Sequence, residues 1–491
     1  MFSFFISSCL FWNWITSIKA SSRSTEPQNF PPGPQPVPIF GNLLHLSLEN
    51  PLKDLEKLSK CYGKVFSLYI GGRPAVIVNG FEAMKEALVT KAVDFAGRPQ
   101  DLMVNHALQG KSFILSDYGS EWREQRRFAL MTLRNFGLGK QCMEERILEE
   151  ISHVTVSLEK SAGKTMDPQT MFHKSAFNIL FLVLTGSRYD YEDKILEYFI
   201  SLFNENAKIA NGPWAMLYDT LPILKTLPLP FQKAFKNIES GKQIAVDLVD
   251  EVKKSRHPWK PRNFIDSYLD EIEKRGNVGS TFNEDQLIFY IMDLQFAGTD
   301  TTSNTLLTAF LYLMTNPKIQ ERCQQEIDMV LDGKEHTSFE DRHRMPYTQA
   351  VIHEVQRIAS IVPLSVFHRT TRDTELMGYS IPKGTLIIPN LTSVLHEEGQ
   401  WKFPHEFNPL NFLNQQGEFE KPEAFMPFSA GPRMCLGEGL ARMELFLVIV
   451  TLLRRFRFVW PEGAGEPDYT PMFGITMSPK PFKMGVRLRL N

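Results

Sequence analysis

Apolar residues recur at helical rather than strand spacing along most of this chain. Helical periodicity dominates from about residue 120 to about residue 360. Before it, two β-like runs, Val65–Ile70 and residues 75–78, flank Gly71-Gly72, a hairpin signal. A second β-rich patch covers residues 375–390, with Pro382-Lys383-Gly384 as its turn, and the last β signals lie near 470–490. The pattern predicts a mainly α protein with a small β region.

One helix stands out by length. Its apolar run starts at Asn283, where Gln286 completes a capping box, and ends at Asn316-Pro317. About 32 residues would span roughly 48 Å. Its middle breaks the local rules: Phe296-Ala297-Gly298-Thr299-Asp300-Thr301-Thr302 is poor in helix formers, and a mid-helix glycine costs about 1 kcal/mol relative to alanine. Such a breach in an apolar element points to function. Gly298 is expected to open room beside the helix, where Thr301 and Asp300 offer a hydroxyl and a carboxylate. The plainer alternative is a Ser/Thr-bent helix packed on a neighbour.

Composition narrows the class. The 491 residues are 43% hydrophobic and 22% charged, enough for a large core. No Gly/Ser linker, low-complexity tract or internal repeat divides the chain after residue 40, so one large domain is expected over 41–491. Residues 2–18 are mostly apolar but short for a spanning helix. No Lys or Arg precedes them, whereas Lys19 and Arg23 follow, which favours an uncleaved anchor over residues 1–20 with the body facing the cytosol, against a cleaved signal peptide. Residues 21–40 form a linker containing Phe30-Pro31-Pro32-Gly33-Pro34-Gln35-Pro36, read as a stiff extended connector. A net charge of −2 sets up no global field for nucleic acid. Five widely spaced cysteines fit a reducing compartment rather than a disulfide framework.

The most specific stretch is Phe428-Ser429-Ala430-Gly431-Pro432-Arg433-Met434-Cys435-Leu436-Gly437. A cysteine in a loop tied by glycine and proline stands just before a helix-forming run. The helix dipole, and Arg433 two residues back, should favour its thiolate. No Cys-x-x-Cys or His partner lies nearby, which argues against zinc. A single thiolate suits haem iron, and a buried structural cysteine is the alternative. Trp122 and Arg126 are four apart and share a helix face, as do Glu354 and Arg357, three apart. The first pair could be a surface cation–π contact, the second a surface ion pair. Arg123, Arg127 and Arg134 make the helix after residue 120 a basic stripe.

Together, Phe-x-x-Gly-x-Arg-x-Cys-x-Gly, Ala-Gly-Thr-Asp-Thr, Glu-x-x-Arg and Phe407-Asn408-Pro409-Leu410-Asn411-Phe412 resemble the cytochrome P450 family from Pro31 to about Val486. The run around Met345-Pro346-Tyr347 and the segment Ala424 to Phe428 look like vertebrate microsomal family 2, most like its fatty-acid epoxygenase-type branch. The resemblance implies the P450 fold, with haem b (iron protoporphyrin IX) between the long central helix and the cysteine loop, and Cys435 as axial iron ligand. It implies that Arg98, Trp122, Arg126, His368 and Arg433 meet the haem propionates, and that Thr301 and Asp300 relay protons. It makes Glu354 and Arg357 a core structural pair; Asn411 stands where the family usually has Arg or His. It places Val104, Phe113, Ile114, Phe203, Asn204, Ala297, Val362, Val366 and Ile475 on the substrate pocket, and makes residues 195–245 a mobile lid.

The implied function is a haem-thiolate monooxygenase that hydroxylates or epoxidises small lipophilic substrates (polyunsaturated fatty acids, xenobiotics, steroids) with O2. Electrons would come from NADPH–cytochrome P450 reductase, with cytochrome b5 as a second donor. Arg123, Arg127, Arg134 and Arg442 would form the docking face, and the enzyme would sit on the endoplasmic reticulum membrane facing the cytosol. No Gly-x-Gly-x-x-Gly follows a strand to bind NADPH directly. Two rivals are a haem-thiolate isomerase or dehydratase acting on lipid peroxides without a reductase, and a non-catalytic haem carrier or sensor. The first class tends to lose the Asp-Thr pair that is kept here, and the second needs no proton relay.

Overall fold

The computed structural model describes residues 27–489 apart from residue 48 and residues 136–140, 222–224 and 277–279. The expected anchor over residues 1–20 lies outside the described residues. Among the described residues, no helix is long and apolar enough to cross a membrane.

Twelve helices of eight residues or more carry the fold among the described residues: α1 Leu52–Tyr62, α2 Ser120–Asn135, α3 Gln141–Lys160, α4 Gln169–Thr185, α5 Lys194–Asn211, α6 Pro213–Thr220, α7 Phe231–Ser255, α8 Phe264–Arg275, α9 Glu284–Thr315, α10 Pro317–Val330, α11 Pro346–Ala359 and α12 Glu438–Arg455. The strands are β1 Val65–Ile70, β2 Arg73–Val78, β3 Thr165–Met166, β4 His368–Arg369, β5 Thr374–Leu376, β6 Tyr379–Ile381, β7 Leu386–Pro389, β8 Phe456–Val459 and β9 Met484–Leu488. The main sheet runs β1-β2-β7-β4, with β2 and β7 parallel and the other pairs antiparallel. The predicted hairpin forms, Ile70 pairing with Arg73 across Gly71-Gly72. β8 was not expected: Phe456 continues directly from α12 without a breaker and pairs with Leu488 on β9.

α9 is the axis of the core. It has the expected length of 32 residues, is capped by Asn283, whose side chain accepts from the Gln286 amide, and ends at Asn316. Only half of the expected capping box forms, because the Gln286 side chain donates to the Lys111 carbonyl instead. α4 lies along α9 and is buried on every side from Met171 to Leu184. A helix buried on every side belongs to the core, and the polar side chains of His173, Lys174 and Asn178 on α4 accordingly find partners there. Gly298 corrects one expectation. A Cβ there would come within 2.7 Å of Leu180 Cδ2, so the missing side chain admits α4 rather than leaving open room.

The proline-rich segment is extended, as its φ restriction dictates, but it is docked. Ser67 on β1 donates its amide to the Pro32 carbonyl and its hydroxyl to the Pro31 carbonyl, both at 2.8 Å. The region read as a lid carries three helices, α5, α6 and α7, with Pro213 in the first turn of α6, where its missing N–H is not needed.

Candidate functional site

Cys435 stands between a closed loop and a helix start. Its amide donates to the Phe428 carbonyl at 2.9 Å, and α12 begins three residues later. Gly431 adopts φ +70°, and a Cβ there would land on the Leu88 carbonyl oxygen, so only glycine fits that turn. Cys435 as a residue is accessible, yet enough protein surrounds its thiol that burial raises the pKa. Both hold if it lines an internal hollow rather than the outer surface. The amides of Gly437 and Glu438 and the Arg126 charge pull the other way without prevailing. The expected thiolate bias therefore needs a metal to complete it. Arg433 is not the cation at the sulfur; its guanidinium donates to the Ala96 and Ser116 carbonyls, each at 2.8 Å.

Three guanidiniums converge on one another. Arg98 arrives from the segment after β2, Arg126 from α2, and Arg433 from the cysteine loop. Arg98 donates to the carbonyls of Ile114, Val366 and Phe367, and Arg126 to the Met434 carbonyl at 2.6 Å. Arg433 lies 3.9 Å and Arg126 5.5 Å from the Trp122 ring. Among the described residues none of the three forms an ion pair with a carboxylate. Burial first, and then Arg433 and Arg126, push the Arg98 pKa well down; burial likewise brings Arg433 to about 9. Two buried nitrogens join them without a partner, Trp122 Nε1 and His368 Nε2. His368 holds Nδ1 2.6 Å from the Phe95 carbonyl, and burial together with Arg98 and Arg433 keeps the ring neutral.

Repelling cations beside orphaned nitrogens are costly as they stand and favourable around anions. A thiol ligand and a cluster of donors for two carboxylates match iron protoporphyrin IX, with Cys435 to hold the iron and Arg98, Trp122, Arg126, His368 and Arg433 to meet the propionates. A carboxylate at His368 would reverse the bias toward the neutral ring and add a second N–H donor.

On α9, Leu294, Ala297 and Thr301, three and four residues apart, share one face and stay partly accessible, as do Phe296, Gly298 and Asp300 beside them. The Thr301 hydroxyl donates to the Ala297 carbonyl at 2.6 Å. Asp300 points elsewhere. Its carboxylate accepts from the Thr476 hydroxyl and lies 3.5 Å from His173 Nε2. Burial raises its pKa, but His173 and Thr476 outweigh that, and the acid sits below its ordinary range.

The expected pocket residues divide into groups. Phe203 and Asn204 on α5 line a hollow with Phe296 and Asp300. Phe113 is core, 4.6 Å from the Tyr290 ring and 6.0 Å from that of Trp122. Ile114 donates its amide to Asp293, and Val366 lends its carbonyl to Arg98. Val104 and Val362 are half-buried, and Ile475 is exposed. Asp293, His173 and Thr476 were not singled out from sequence. Asp293 is buried beside Ser112 with its pKa raised to about 7 by burial, and only its place two turns before Thr301 could have flagged it.

Glu354 and Arg357 make a fully buried bidentate pair at 2.7 and 2.8 Å. Asn411 donates to both Glu354 oxygens at 3.2 Å, the neutral bond expected of a residue in place of Arg or His. Of the proposed docking arginines, Arg123, Arg127 and Arg134 are exposed on α2. Arg442 is not free for a partner: it pairs with Glu438 at 2.6 Å and lies 3.1 Å from His353.

Comparison with known proteins agrees with this geometry. The family model for Cytochrome P450 matches residues 31–486. Cytochrome P450 2F2 of Mus musculus is 43% identical over 462 residues, covering 94% of each chain. Cytochrome P450 2D3 of Rattus norvegicus is 43% identical over 460 residues, 93% of this chain and 92% of its own. Cytochrome P450 2K4 of Oncorhynchus mykiss is 41% identical over 473 residues, 95% and 94% respectively.

Proposed function

This chain belongs to the cytochrome P450 family, with relatives in vertebrate family 2, and is a haem-thiolate monooxygenase that binds haem b; from that premise we propose that it hydroxylates or epoxidises small lipophilic substrates with electrons from NADPH–cytochrome P450 reductase. The observation that carries the site assignment is the cluster of Arg98, Arg126 and Arg433 with the unpartnered Trp122 and His368 nitrogens, tied to Cys435 through the charge of Arg126. When bound, the haem supplies activation of O2, one oxygen atom passing to substrate and the other leaving as water.

The chain's own residues bind, orient and deliver protons. Cys435 gives the thiolate, and the Gly437 and Glu438 amides stabilise its charge. Arg98, Arg126, Arg433, Trp122 and His368 fix the propionates. Thr301 presents its hydroxyl on α9, while the ionised Asp300 carboxyl one residue earlier takes up a proton from solvent and passes it on. Ala297, Phe203 and their largely apolar neighbours favour lipophilic substrates, fatty acids among them. Cytochrome b5 as second donor, the N-terminal anchor, and an endoplasmic reticulum location with the domain facing the cytosol belong to the same reading. The peroxide-rearranging alternative has no observation in its favour, since the Asp300–Thr301 pair is present.

A reduced-CO difference spectrum, followed by turnover with and without NADPH and reductase, tests this reading. Thr301→Ala keeps the Cβ and most packing. NADPH consumption should continue while product per NADPH falls and hydrogen peroxide makes up the difference. Unchanged coupling in that variant removes Thr301 from the proton route, and turnover indifferent to NADPH would favour the rearrangement class.

A further inference from the structure

Asp300 is held by Asn304 on its own helix and, more strongly, from outside α9. Thr476 takes Oδ2, and Oδ1 faces Nε2 of His173, a residue of α4 whose side chain is only 8% accessible. The other imidazole nitrogen, Nδ1, lies 2.9 Å from the Gln169 carbonyl. A carbonyl oxygen only accepts, so Nδ1 carries the hydrogen. In the neutral ring Nε2 is then an acceptor, and it confronts a carboxylate that is also an acceptor. With His173 buried and the Asp300 side chain 24% accessible, the contact at 3.5 Å is favourable only with a proton between the partners. Either Nε2 is protonated and pairs with Asp300, or a water donates to both.

Space for that water exists. His173 and Asp300 line one hollow with Asn204, Gln295 and Thr299, and it leaves about 20 Å³ for the centres of water molecules, room for about one. Gln295 adds a third acceptor: it is buried, and its Oε1 has no partner. Other charges nearby are already engaged. Lys174, next on α4, turns to Glu197 on α5 and the Tyr191 carbonyl, and Glu150 on α3 is held by Arg188 and Tyr191. Among the described residues Asp300 is the carboxylate within ion-pair distance of His173.

We propose that His173 is a positioning residue for proton delivery, which with Asp300 and the adjoining hollow stores one exchangeable proton on the α4 side of α9. The proton leaves Nε2 as the Asp300 O–H bond forms; the imidazole regains it from the water in the hollow, and that water from solvent. Successive residues of a helix point about 100° apart, so Asp300 serves Thr301 by swinging away from Thr476 and His173. The proposal rests on the reading of Asp300 and Thr301 as the proton route, but the pairing itself can be tested without turnover.

The test uses the full-length haem-loaded protein, with folding checked by the reduced-CO spectrum. Infrared difference spectra recorded against pH follow the Asp300 carboxyl, identified as the band missing in Asp300→Asn. His173→Gln should move its titration up by about one pH unit, the loss of an adjacent cationic partner. Product per NADPH should fall in the same variant and fall no further when His173→Gln is added to Asp300→Asn. An unmoved carboxyl titration would overturn the pairing, whatever Thr301→Ala does to coupling. A moved titration with unchanged coupling would reduce His173 to a structural partner. If His173→Gln does not fold, His173→Asn, which keeps a shorter amide, carries the same two measurements.

Discussion

At Glu354 and Arg357 every charged atom meets a partner within the chain, whereas among the described residues the guanidiniums of Arg98, Arg126 and Arg433 pair with no carboxylate, Asp117 acting on Arg433 only from beyond ion-pair distance. The first cluster is closed: Glu354 accepts from Arg357, Asn411 and the Asn408 amide, and Arg357 spends its remaining donors on the carbonyls of Leu395, Phe403, Pro404 and Glu406. The second is open, with two buried nitrogens left over. Both are ionic and, Arg126 apart, buried, so burial and charge alone do not separate structure from function. Satisfaction does. A closed network stabilises the fold as it stands; an open one is destabilising until a ligand completes it.

The sharpest break between the two comes from Cys435 and Glu354. Cys435→Ala removes a side chain that faces a hollow, so the protein without haem should keep its melting temperature while the thiolate-type CO spectrum and all NADPH-dependent turnover vanish. Retention of that spectrum would sink the ligand assignment. Glu354→Ala leaves Arg357 buried without its counter-ion, a loss of about 3–5 kcal/mol of folding stability. Chemical denaturation should find that loss with or without haem, and a loss confined to the haem-loaded form would show that the closed network is part of the site.

Arg126→Ala should behave in the opposite sense. It removes one of three mutually repelling cations and one bond to a carbonyl, so stability without haem should change little. Haem should be lost about tenfold faster or more, as expected for a hydrogen bond to a charged group worth about 1.5–3 kcal/mol. Haem transfer to an acceptor protein measures this directly, and equal haem retention in wild type and variant would remove Arg126 from the propionate group.

What could be read from sequence follows the same divide. The long α9 with its Asn283 cap, the β1–β2 hairpin, the Glu354–Arg357 spacing and the cysteine loop are local patterns, and one stretch of chain specifies each. The convergence of Arg98, Trp122, Arg126, His368 and Arg433 is not local; five separate positions meet only after folding, and only family resemblance could join them. Contacts decided by a neighbour's shape were misread or missed. Gly298 reads as an opening until Leu180 fills it, and Arg433 reads as the cysteine's counter-charge until its donors turn to the Ala96 and Ser116 carbonyls. His173 is one of several polar positions on a mostly apolar helix, and nothing distinguishes it until α9 brings Asp300 to it. β8 has no breaker before it to mark its start.

The smallest expected effect lies one residue from Arg126. Arg127 is on the same helix but exposed, and it meets neither cluster. A solvent-exposed charge contributes little to stability, and its interactions fade beyond about 10 Å at ordinary salt. It can still steer an acidic electron donor, which alters association more than chemistry. Arg127→Glu should therefore raise the reductase concentration needed for half-maximal rate by a few-fold at low salt, with the difference shrinking as salt is added. Haem content, melting temperature and peroxide-supported turnover should stay at wild-type values, because none of them requires docking. Arg442→Glu is a poorer probe of the same face, since Arg442 already holds Glu438 and its loss would disturb α12. If Arg127→Glu lowered reductase-supported and peroxide-supported turnover equally, the effect would lie in the fold, and the line drawn here between an open site inside α2 and a docking charge outside it would fail.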